Sequence, residues 1–564
     1  MDLLDRTFPA GHRTHHVDNQ PPPLADYDLY AGDAALRDAV TANDAAWATP
    51  ALHAIGRDAG DSETIALGFD ANAYPPTLRT FDRFGNRVDE VDFHPSYHRL
   101  LASATAYGLH ASSWREPRAG AHVARAAGFY LWSQVDAGHG CPISMTHAVV
   151  PVLRTQPELA NTWEPLIFAA GYDGSLRPAT QKKSALVGMA MTEKQGGSDV
   201  RANTTRATPC ALGGPGAAYA LVGHKWFCSA PMSDAFLVLA QAPGGLSCFL
   251  VPRFLPDGTK NVFALQRLKE KLGNRSNASS EVEFDETIGW LVDEEGRGVP
   301  TIVEMVNFTR LDCIVGAAAG MRQAVAQAIH HAAHRSAFGK ALVDWPLMQN
   351  VLADLALEAE AATLLFARLA RACDRASAGD THEAHIKRIG TAFGKYWTCK
   401  RAAGHAAEAL ECLGGNGYVE ESILPRLFRE SPLNSIWEGS GNVNALDVLR
   451  AVAQEPGVLA AFFDEVELTC GGDPRVVDAA RAVRAEIADR SGIELRARRI
   501  VERMALVFQS ALMVRTSPAY VADAFCASRL GNDWGHAYGT LPRGTDVRAI
   551  VARAAPLDGL PPSP

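Results

Sequence analysis

Apolar residues recur with the period of an amphipathic helix over much of the chain. Between residues 344 and 369 they stand three or four positions apart, at Leu347, Val351, Leu355, Ala359, Ala362, Phe366 and Leu369. Asp344 precedes this run and Pro346 begins it, so we expect Asp344 to cap a helix whose first turn contains the proline. A second long helix is predicted over residues 382–412. Long helices with short connections are typical of a helical bundle.

The pattern changes to that of β-strands between residues 186 and 292. Short apolar runs predict strands at 219–222, 236–241 and 248–251, and Val282 and Phe284 alternate with acidic residues, which predicts a strand with one solvent-exposed face. The resulting fold class is α+β. We predict four parts in order: an N-terminal arm and helical domain (1–185), a central β domain (186–292), a helical bundle (293–450) and a helical extension (451–564).

The composition excludes a protein that is basic all over. The chain has 564 residues and a formal charge of −9, which argues against coating nucleic acid or membrane through overall positive charge. No apolar run approaches the roughly 18 residues of a membrane span, and no basic start followed by an apolar segment indicates a secretory signal. The ten cysteines form no Cys-x-x-Cys pair, so no metal site is expected. We expect a cytoplasmic protein without a membrane partner.

Two motifs of the predicted β domain carry groups suited to a planar, hydrogen-bonding ligand. The first spans residues 189–199 and combines the Thr192 hydroxyl with a Gly-Gly-Ser turn. The second, residues 223–229, offers an aromatic side chain and a hydroxyl group. On local pattern alone, a strand that ends in a glycine turn and a core strand account equally well for the two motifs.

Three further motifs follow in the helical half. Residues 335–339 (Arg-Ser-Ala-Phe-Gly) and 413–418 (Leu-Gly-Gly-Asn-Gly-Tyr) each follow a predicted helix, and guanidinium and exposed backbone N–H groups both suit a pyrophosphate. Glu438 lies between Trp437 and a glycine-rich turn, with Ile436 also adjacent. Partial desolvation by such neighbours raises the pKa of a carboxylate, which suits a general base. The alternative is a solvated glutamate at a helix cap.

The order and spacing of these motifs resemble the acyl-CoA dehydrogenase superfamily, and specifically its AidB branch of alkylation-response flavoproteins. The resemblance rests on MTEKQGGSDV, GHKWFCS, KLGNRSNASSEVEF, RSAFGK, LGGNGY and NSIWEGSGNV. It includes NQPPPL in the N-terminal arm and a C-terminal extension beyond the usual dehydrogenase end. It implies an N-terminal helical domain, a central β domain and a C-terminal helical bundle, in agreement with the hydrophobic pattern.

The resemblance also implies an FAD site and its residues. Those that resemble contacts of the flavin ring are Met191, Thr192, Ser198, Phe227 and Ser229. Those that resemble contacts of the pyrophosphate and adenine half are Arg335, Phe338, Gly414, Gly415, Ser440 and Asn442. Arg335 and Phe338 resemble a pair that reaches the FAD of a neighbouring subunit. Residues that resemble groups near the substrate are Ser198, Arg310 and Trp437.

Glu438 resembles the catalytic base of this family. The implied reaction is α,β-desaturation of a short or branched acyl-CoA, in which Glu438 removes the α-proton and the β-hydride passes to flavin N5. Some members carry the base at the position of Thr309, which has no carboxylate, so Glu438 is the matching candidate. The resemblance further implies a homotetramer and an electron-transfer flavoprotein as acceptor. The alternative is a DNA-protecting flavoprotein of the alkylation response with little dehydrogenase turnover.

The predicted extension differs in charge from the rest of the chain. Between Arg475 and Arg553 it contains thirteen arginines, no lysine and eight acidic residues. Arginines that share predicted helix faces are Arg481 and Arg484, and Arg496, Arg499 and Arg503. Such faces would contact the phosphates of double-stranded DNA, as the resemblance to the AidB branch also implies. A solvated helix surface or ion pairs between subunits is the equally weighted alternative.

Overall fold

The computed structural model describes residues 17–469, 472–531, 533 and 535–557, and it confirms the α+β fold class. The first part is helical with one β-hairpin. Its elements are α1 (Ala34–Ala42), α2 (Thr49–Gly60), α3 (Ser62–Ala73), β1 (Thr77–Phe81), β2 (Arg87–Asp92), α4 (Pro95–Ala106), α5 (Ser112–Arg115), α6 (Ala121–Ser133), α7 (Gly140–Leu153) and α8 (Pro157–Phe168). Asp33 and Asp61 cap α1 and α3 through hydrogen bonds from Leu36 N and Thr64 N. The β1–β2 hairpin was not predicted, because its short strands are charged and largely exposed.

The central part is a β-sheet that closes on itself. Its strands are β3 (Val187–Ala190), β4 (Arg206–Pro209), β5 (Ala218–Ser229), β6 (Ala235–Ala242), β7 (Gly245–Pro252), β8 (Ala264–Leu268) and β9 (Ser279–Val292). The order is β3-β6-β4-β5-β9-β7, with β8 on β9, and β7 pairs back onto β6. Val282 and Phe284 face the core as predicted. Glu281, predicted on the solvent side, is buried, because Arg267 and Lys269 pair with its carboxylate at 2.5 and 2.6 Å.

The third part is a bundle of three long helices with shorter elements at their ends. The long helices are α9 (Gly298–His334), α10 (Pro346–Ser377) and α11 (Thr381–Cys412). The other elements are β10 (Ser336–Ala337), β11 (Lys340–Ala341), α12 (Gly415–Tyr418), α13 (Leu424–Glu430) and α14 (Gly441–Gln454). Pro346 begins α10 as expected, but Asp344 does not cap it. Asp344 ends a preceding 3₁₀ turn, and Trp345 occupies the cap position without a side-chain hydrogen bond.

The extension is helical, as expected, and arginines join it to the bundle. Its helices are α15 (Pro456–Glu467), α16 (Pro474–Ala488), α17 (Ile493–Thr516), α18 (Ala519–Arg529) and α19 (Val547–Ala554). Arg529 is buried and pairs with Asp354 at 2.6 Å and Glu358 at 3.0 Å, both on α10. Arg553 pairs with Glu360 of α10 at 3.0 Å and with Asp38 of α1 at 2.6 Å. The extension is therefore part of the same core as the bundle.

Membrane spans and metal clusters were searched for in the part of the chain that the structure describes. In those ranges no helix is long and apolar enough to cross a membrane, and no group of three His, Cys, Asp or Glu side chains is arranged to hold a metal. The nine cysteines within the same ranges are free thiols, and Cys470 lies outside them.

Candidate active site

Glu438 lies on the segment that connects α13 to α14, facing α9. Thr309 of α9 donates a hydrogen bond from its hydroxyl to Oε2 of Glu438 at 2.9 Å. The backbone of Glu438 has φ 56°, in the left-handed region, and the following Gly439 also has positive φ. A non-glycine residue held there is strained, at a cost of about 1–3 kcal/mol, and such residues cluster at functional sites.

Charged side chains hold this strained segment by its carbonyl groups. Lys395 of α11 donates to Trp437 O at 2.6 Å and also to Gly439 O. Arg310 of α9 donates from Nε to Glu438 O at 2.8 Å, and its NH1 pairs with Asp447 at 2.8 Å. Arg310 therefore takes part in a structural ion pair with Asp447. A contact between Arg310 and the substrate stays a prediction.

Burial raises the pKa of the Glu438 carboxyl above its usual value, although the Thr309 hydrogen bond and the charges of Lys395 and Arg310 oppose the shift. Of the two neighbours in sequence expected to enclose this carboxyl, Ile436 is 62% exposed, whereas Trp437 is partly buried against the core. Side chains of α9 and α11, distant in sequence, lie around the same segment. A carboxylate with a raised pKa and a fixed backbone is a stronger proton acceptor than an exposed glutamate.

Two residues near Glu438 were missed by sequence reasoning. Cys141, in the first turn of α7, is buried with a pKa raised to about 12 by burial, and the charge of Glu438 adds to the shift while Ser229 and Asn277 oppose it. Asn277 is 1% exposed, and neither its Nδ2 nor its Oδ1 has a hydrogen-bond partner. Cys141 carries no motif and Asn277 lies within a quoted motif without a role, so only the fold brings them to Ser229 and Glu438.

The 191–199 segment is anchored to β5 by a buried ion pair. Glu193 and Lys225 are fully buried and lie 2.8 Å apart, and burial lowers the pKa of Lys225 to about 8. Trp226 N donates to Thr192 O at 2.8 Å, which fixes the loop beside Phe227 and Ser229. The structure thus brings Met191, Thr192, Phe227 and Ser229 to one rim of the β domain.

The turn within this segment is tight. A Cβ at Gly197 would lie 2.5 Å from the Thr192 hydroxyl, so only glycine fits there and the exposed Ser198 follows next to Thr192. Phe227 is 49% exposed, and Lys269 Nζ lies 4.9 Å from the centroid of its ring.

A second set of predicted residues lies elsewhere in the chain. Phe338 is 93% exposed at the tip of the β10–β11 hairpin, where it and Gly339 both have positive φ, as a type I′ turn requires. Arg335, at the base of the hairpin, donates to Asn19 O of the N-terminal arm, and Asn416, next to Gly415, donates to Gln20 Oε1 at 3.1 Å. The arm therefore joins this hairpin to the Gly414–Gly415 turn.

The second set is far from Glu438 within one chain. Thr309 contacts Glu438, and Arg335 follows it 26 positions later at the end of α9, about 39 Å along a helix that rises 1.5 Å per residue. Lys395 and Gly414 are 19 positions apart along and just past α11, about 28 Å by the same rise. The two sets of predicted residues therefore lie at opposite ends of the bundle within one chain.

The remaining predicted residues border the Glu438 segment. Ser440 precedes α14, and its side chain makes no capping hydrogen bond. Asn442 is exposed in the first turn of α14. Trp437 is partly buried and donates from Nε1 to Asn434 Oδ1 at 3.0 Å.

The five arginines of the extension that were candidates for DNA contact all have acidic partners. Arg481 pairs with Asp478 at 2.7 Å and Arg484 with Glu467 at 3.3 Å. Arg496, Arg499 and Arg503 share one carboxylate, that of Glu486, at 3.8, 2.9 and 2.8 Å. The Glu486 cluster, defined by these four residues, therefore keeps an excess of positive charge on α16 and α17.

Comparison with known proteins identifies three domains in succession. Residues 19–174 match the family described as adaptive response protein AidB N-terminal domain, residues 188–287 the acyl-CoA dehydrogenase middle domain, and residues 296–453 the acyl-CoA dehydrogenase C-terminal domain. The chain is 47% identical over 529 residues to the Escherichia coli (strain K12) protein named "Putative acyl-CoA dehydrogenase AidB", covering 93% of this chain and 96% of that protein.

Solved structures share the fold over nearly the whole length. Caenorhabditis elegans ACDH-11, solved in complex with C11-CoA, superposes with a TM-score of 0.81 at 25% identity and covers 97% of this chain and 95% of its own. The structure described as Bd2924 apo-form gives a TM-score of 0.80 at 26% identity, over 89% of this chain and 100% of its own. Together with the Glu438 segment, which Lys395 and Arg310 hold in place, these matches show that the chain belongs to the acyl-CoA dehydrogenase family, in the branch that carries the AidB N-terminal domain.

Proposed function

We propose that this protein is an FAD-dependent dehydrogenase that desaturates a short or branched acyl-CoA between its α and β carbons, with Glu438 as the catalytic base. The observation that carries the proposal is the partly buried Glu438 carboxyl with a raised pKa, on a strained segment held by Lys395 and Arg310. ACDH-11, a relative of similar fold, was solved with an acyl-CoA, which supports this class of substrate.

The residues near Glu438 fit the flavin half of FAD. The Asn277 amide is buried without a partner near Ser229, so it has a donor and an acceptor free for a hydrogen-bonding ring. Phe227 offers an exposed aromatic face, and the Thr192 hydroxyl lies on the same rim. FAD, when bound, supplies the hydride acceptor for the substrate β-carbon.

The chain's own residues would act on the proton and on the substrate's position. Glu438 would remove the proton from the α-carbon, and its raised pKa brings its basicity closer to neutral pH than that of an exposed glutamate. Thr309 would orient the carboxylate through its 2.9 Å hydrogen bond. Trp437 and Arg310 are proposed to border the substrate, and Ser198 to close the entrance from the β-domain side.

The cofactor site is proposed to be completed by a second copy of the chain. Arg335, Phe338, Gly414 and Gly415 lie at the far ends of α9 and α11 from Glu438, and Phe338 is exposed to the outside of the chain. A neighbouring copy would therefore supply the pyrophosphate contacts, while Ser440 and Asn442 meet the adenine half. Such sharing supports a homotetramer, and an electron-transfer flavoprotein is the proposed electron acceptor.

Anaerobic titration of the FAD-loaded protein with a panel of acyl-CoAs tests this function. We expect at least one short or branched acyl-CoA to bleach the visible absorbance of the oxidised flavin at stoichiometric amounts. The matched control is the corresponding 2,3-enoyl-CoA, which is already desaturated between its α and β carbons and should leave the flavin oxidised. An oxidised flavin after every saturated acyl-CoA in a panel of straight and branched chains would contradict the dehydrogenase and favour the alternative, a flavoprotein of the alkylation response with little turnover.

A second function, binding of duplex DNA, is favoured by the Glu486 cluster. Three arginines face two carboxylates there, since Arg496 also pairs with Asp489 at 3.4 Å, so one positive charge is left for a phosphate group. We expect the double variant Arg499→Ala and Arg503→Ala to weaken duplex binding. The slope of log affinity against log salt should fall by about one for each phosphate group that the variant no longer binds.

The matched control for DNA binding is Arg83→Ala, which removes an exposed arginine from the β1–β2 hairpin, outside the extension. Fluorescence anisotropy with a labelled duplex at several salt concentrations measures both variants. Equal affinity and equal salt slope in the double variant and the natural protein would refute a role for the Glu486 cluster.

A further inference from the structure

Three consecutive backbone carbonyl groups around Glu438 accept hydrogen bonds from charged side chains. Lys395 Nζ binds the carbonyl oxygens of Trp437, at 2.6 Å, and Gly439, while Arg310 Nε binds that of Glu438 itself at 2.8 Å. Asn444 adds a hydrogen bond to Gly439 O at 2.6 Å. All of these donors lie on helices outside the segment, Arg310 on α9, Lys395 on α11 and Asn444 on α14, so the surrounding helices impose the conformation at Glu438.

Lys395 is unusual among these donors because it has no carboxylate partner among the ion pairs of the described ranges. It is 1% exposed on α11, whereas Arg310 is neutralised by Asp447. A buried ammonium group is costly unless it is well hydrogen-bonded. Its hydrogen bonds run to the two carbonyls that flank Glu438, so the charge stabilises this segment and its field acts on the Glu438 carboxylate.

We propose that Lys395 is a positioning residue for the base: it bridges the peptides on both sides of Glu438, keeps that residue in the left-handed conformation that aims its carboxylate at Thr309, and favours the ionised form. This inference rests on the proposed role of Glu438. It concerns the backbone conformation of the segment, which can be measured whether or not the protein has dehydrogenase activity. Released from the bridge, Glu438 would relax towards negative φ, which a residue with a Cβ prefers.

The charged and titratable groups that act on Glu438 come from several elements. Thr309 and Arg310 of α9 and Lys395 of α11 all favour the ionised carboxylate, against the effect of burial. Cys141 of α7 and Cys313 of α9 have pKa values raised first by burial, so both thiols are neutral at physiological pH and add no charge. Lys395 and Arg310 are therefore the full charges that act on the base, and only Lys395 lacks a neutralising partner among the described ion pairs.

The test uses the full-length FAD-loaded protein with Lys395→Met, which keeps the length of the side chain but removes its charge and N–H donors. The matched control is Thr398→Val, one turn further along α11, where a buried hydroxyl without a hydrogen-bond partner is removed. Hydrogen exchange of the peptide containing residues 436–440 reports on the segment whether or not the protein turns over. The crystal structure of the variant gives φ at Glu438.

We expect amide exchange at 436–440 to be at least tenfold faster in Lys395→Met than in the natural protein, and unchanged in Thr398→Val. In the crystal structure the hydrogen bond between Thr309 and Glu438 should be lost. Where an acyl-CoA reduces the flavin, the acidic limb of the pH profile should move up by about one pH unit, because an opposite charge that lowered the pKa of the base is gone. A purely structural defect would lower the amount of active protein without moving this limb.

Unchanged exchange together with a retained positive φ at Glu438 would overturn the proposal, whatever the activity. If Lys395→Met does not fold, Lys395→Gln carries the same test, because it keeps one N–H donor without the charge: faster exchange at 436–440 supports the proposal and natural exchange refutes it. Failure of the dehydrogenase function is a separate result, namely no flavin reduction in the natural protein, and it leaves the exchange measurement fully informative.

Discussion

Glu438→Gln is expected to slow flavin reduction by a bound acyl-CoA by about 10²–10⁴-fold, the usual effect of removing a general base. Glutamine has the same shape and its amide oxygen can still accept the hydrogen bond from Thr309, so the segment should keep its conformation. What it cannot do is accept the α-proton. Anaerobic stopped-flow measurement of the flavin absorbance after mixing with the acyl-CoA found by titration gives the rate directly.

The pH dependence of the natural protein's activity should also report the ionisation of Glu438. A base works in its deprotonated form, so kcat/KM should rise as pH increases through the pKa of Glu438, and burial places that pKa above the ordinary value of a glutamate. The control variant is Glu502→Gln on α17, a carboxyl whose pKa is also raised by burial but which belongs to the extension. A natural rate in Glu438→Gln would show that another group removes the proton.

Arg529→Met is expected to lower the free energy of unfolding by about 3–5 kcal/mol, the usual cost of leaving buried charges without their partner. Arg529 and its partners Asp354 and Glu358 are almost completely buried where α18 meets α10. Burial alone would raise the pKa of Glu358, but the charges of Arg401 and Arg529 outweigh it and hold the pKa at about 2. Urea denaturation of the variant and the natural protein at pH 7 measures the difference.

The sign of the pH dependence gives a second check on this ion pair. A carboxyl whose pKa is lowered by folding stabilises the protein above its unfolded pKa of about 4.3, and loses that contribution as pH falls towards about 2. The deficit of Arg529→Met should therefore be largest at neutral pH and shrink in acid. Arg490→Met removes an exposed arginine of the same extension and should change stability by no more than about 0.5 kcal/mol. Equal stability of Arg529→Met and Arg490→Met would refute the account.

The buried pairs also determine how DNA binding can be tested. Deleting the extension removes Arg529 and Arg553 and leaves Glu358 and Glu360 of α10 without them. Loss of DNA binding in such a truncated chain would report unfolding as readily as a missing interface. Substitutions in the Glu486 cluster, which lies on the surface of α16 and α17, avoid this difficulty.

The order of the helical and β parts could be predicted from the sequence, because hydrophobic periodicity depends only on residues that are close together in the chain. The long helices α10 and α11 and the core strands of the β domain appeared where apolar spacing placed them. The β1–β2 hairpin and the burial of Glu281 were not readable, because each depends on partners distant in sequence. The fold class and the FAD-binding family follow from the joint spacing of motifs that are weak one by one.

The sequence named candidate residues of the site, but not the residues that hold them in place. Glu438 was predicted from the motifs and Thr309 was named only as a position without a carboxylate, whereas Lys395, Cys141 and Asn277 reach the site from three other elements. Lys395 is one of several lysines on an amphipathic pattern, and nothing in its local sequence marks it as buried. Contacts of that kind exist only after the helices have packed.

The ion pair between Asp38 and Arg553 joins residues 515 positions apart, and Arg322 of α9 binds both Asp33, next to α1, and the carbonyl of Ala554 at the end of α19. During synthesis the N-terminal parts emerge and begin to fold first. Arg553 of α19, the last helix of the described residues, therefore becomes available to the Asp38 carboxylate of α1 only after nearly all of the described chain has been translated.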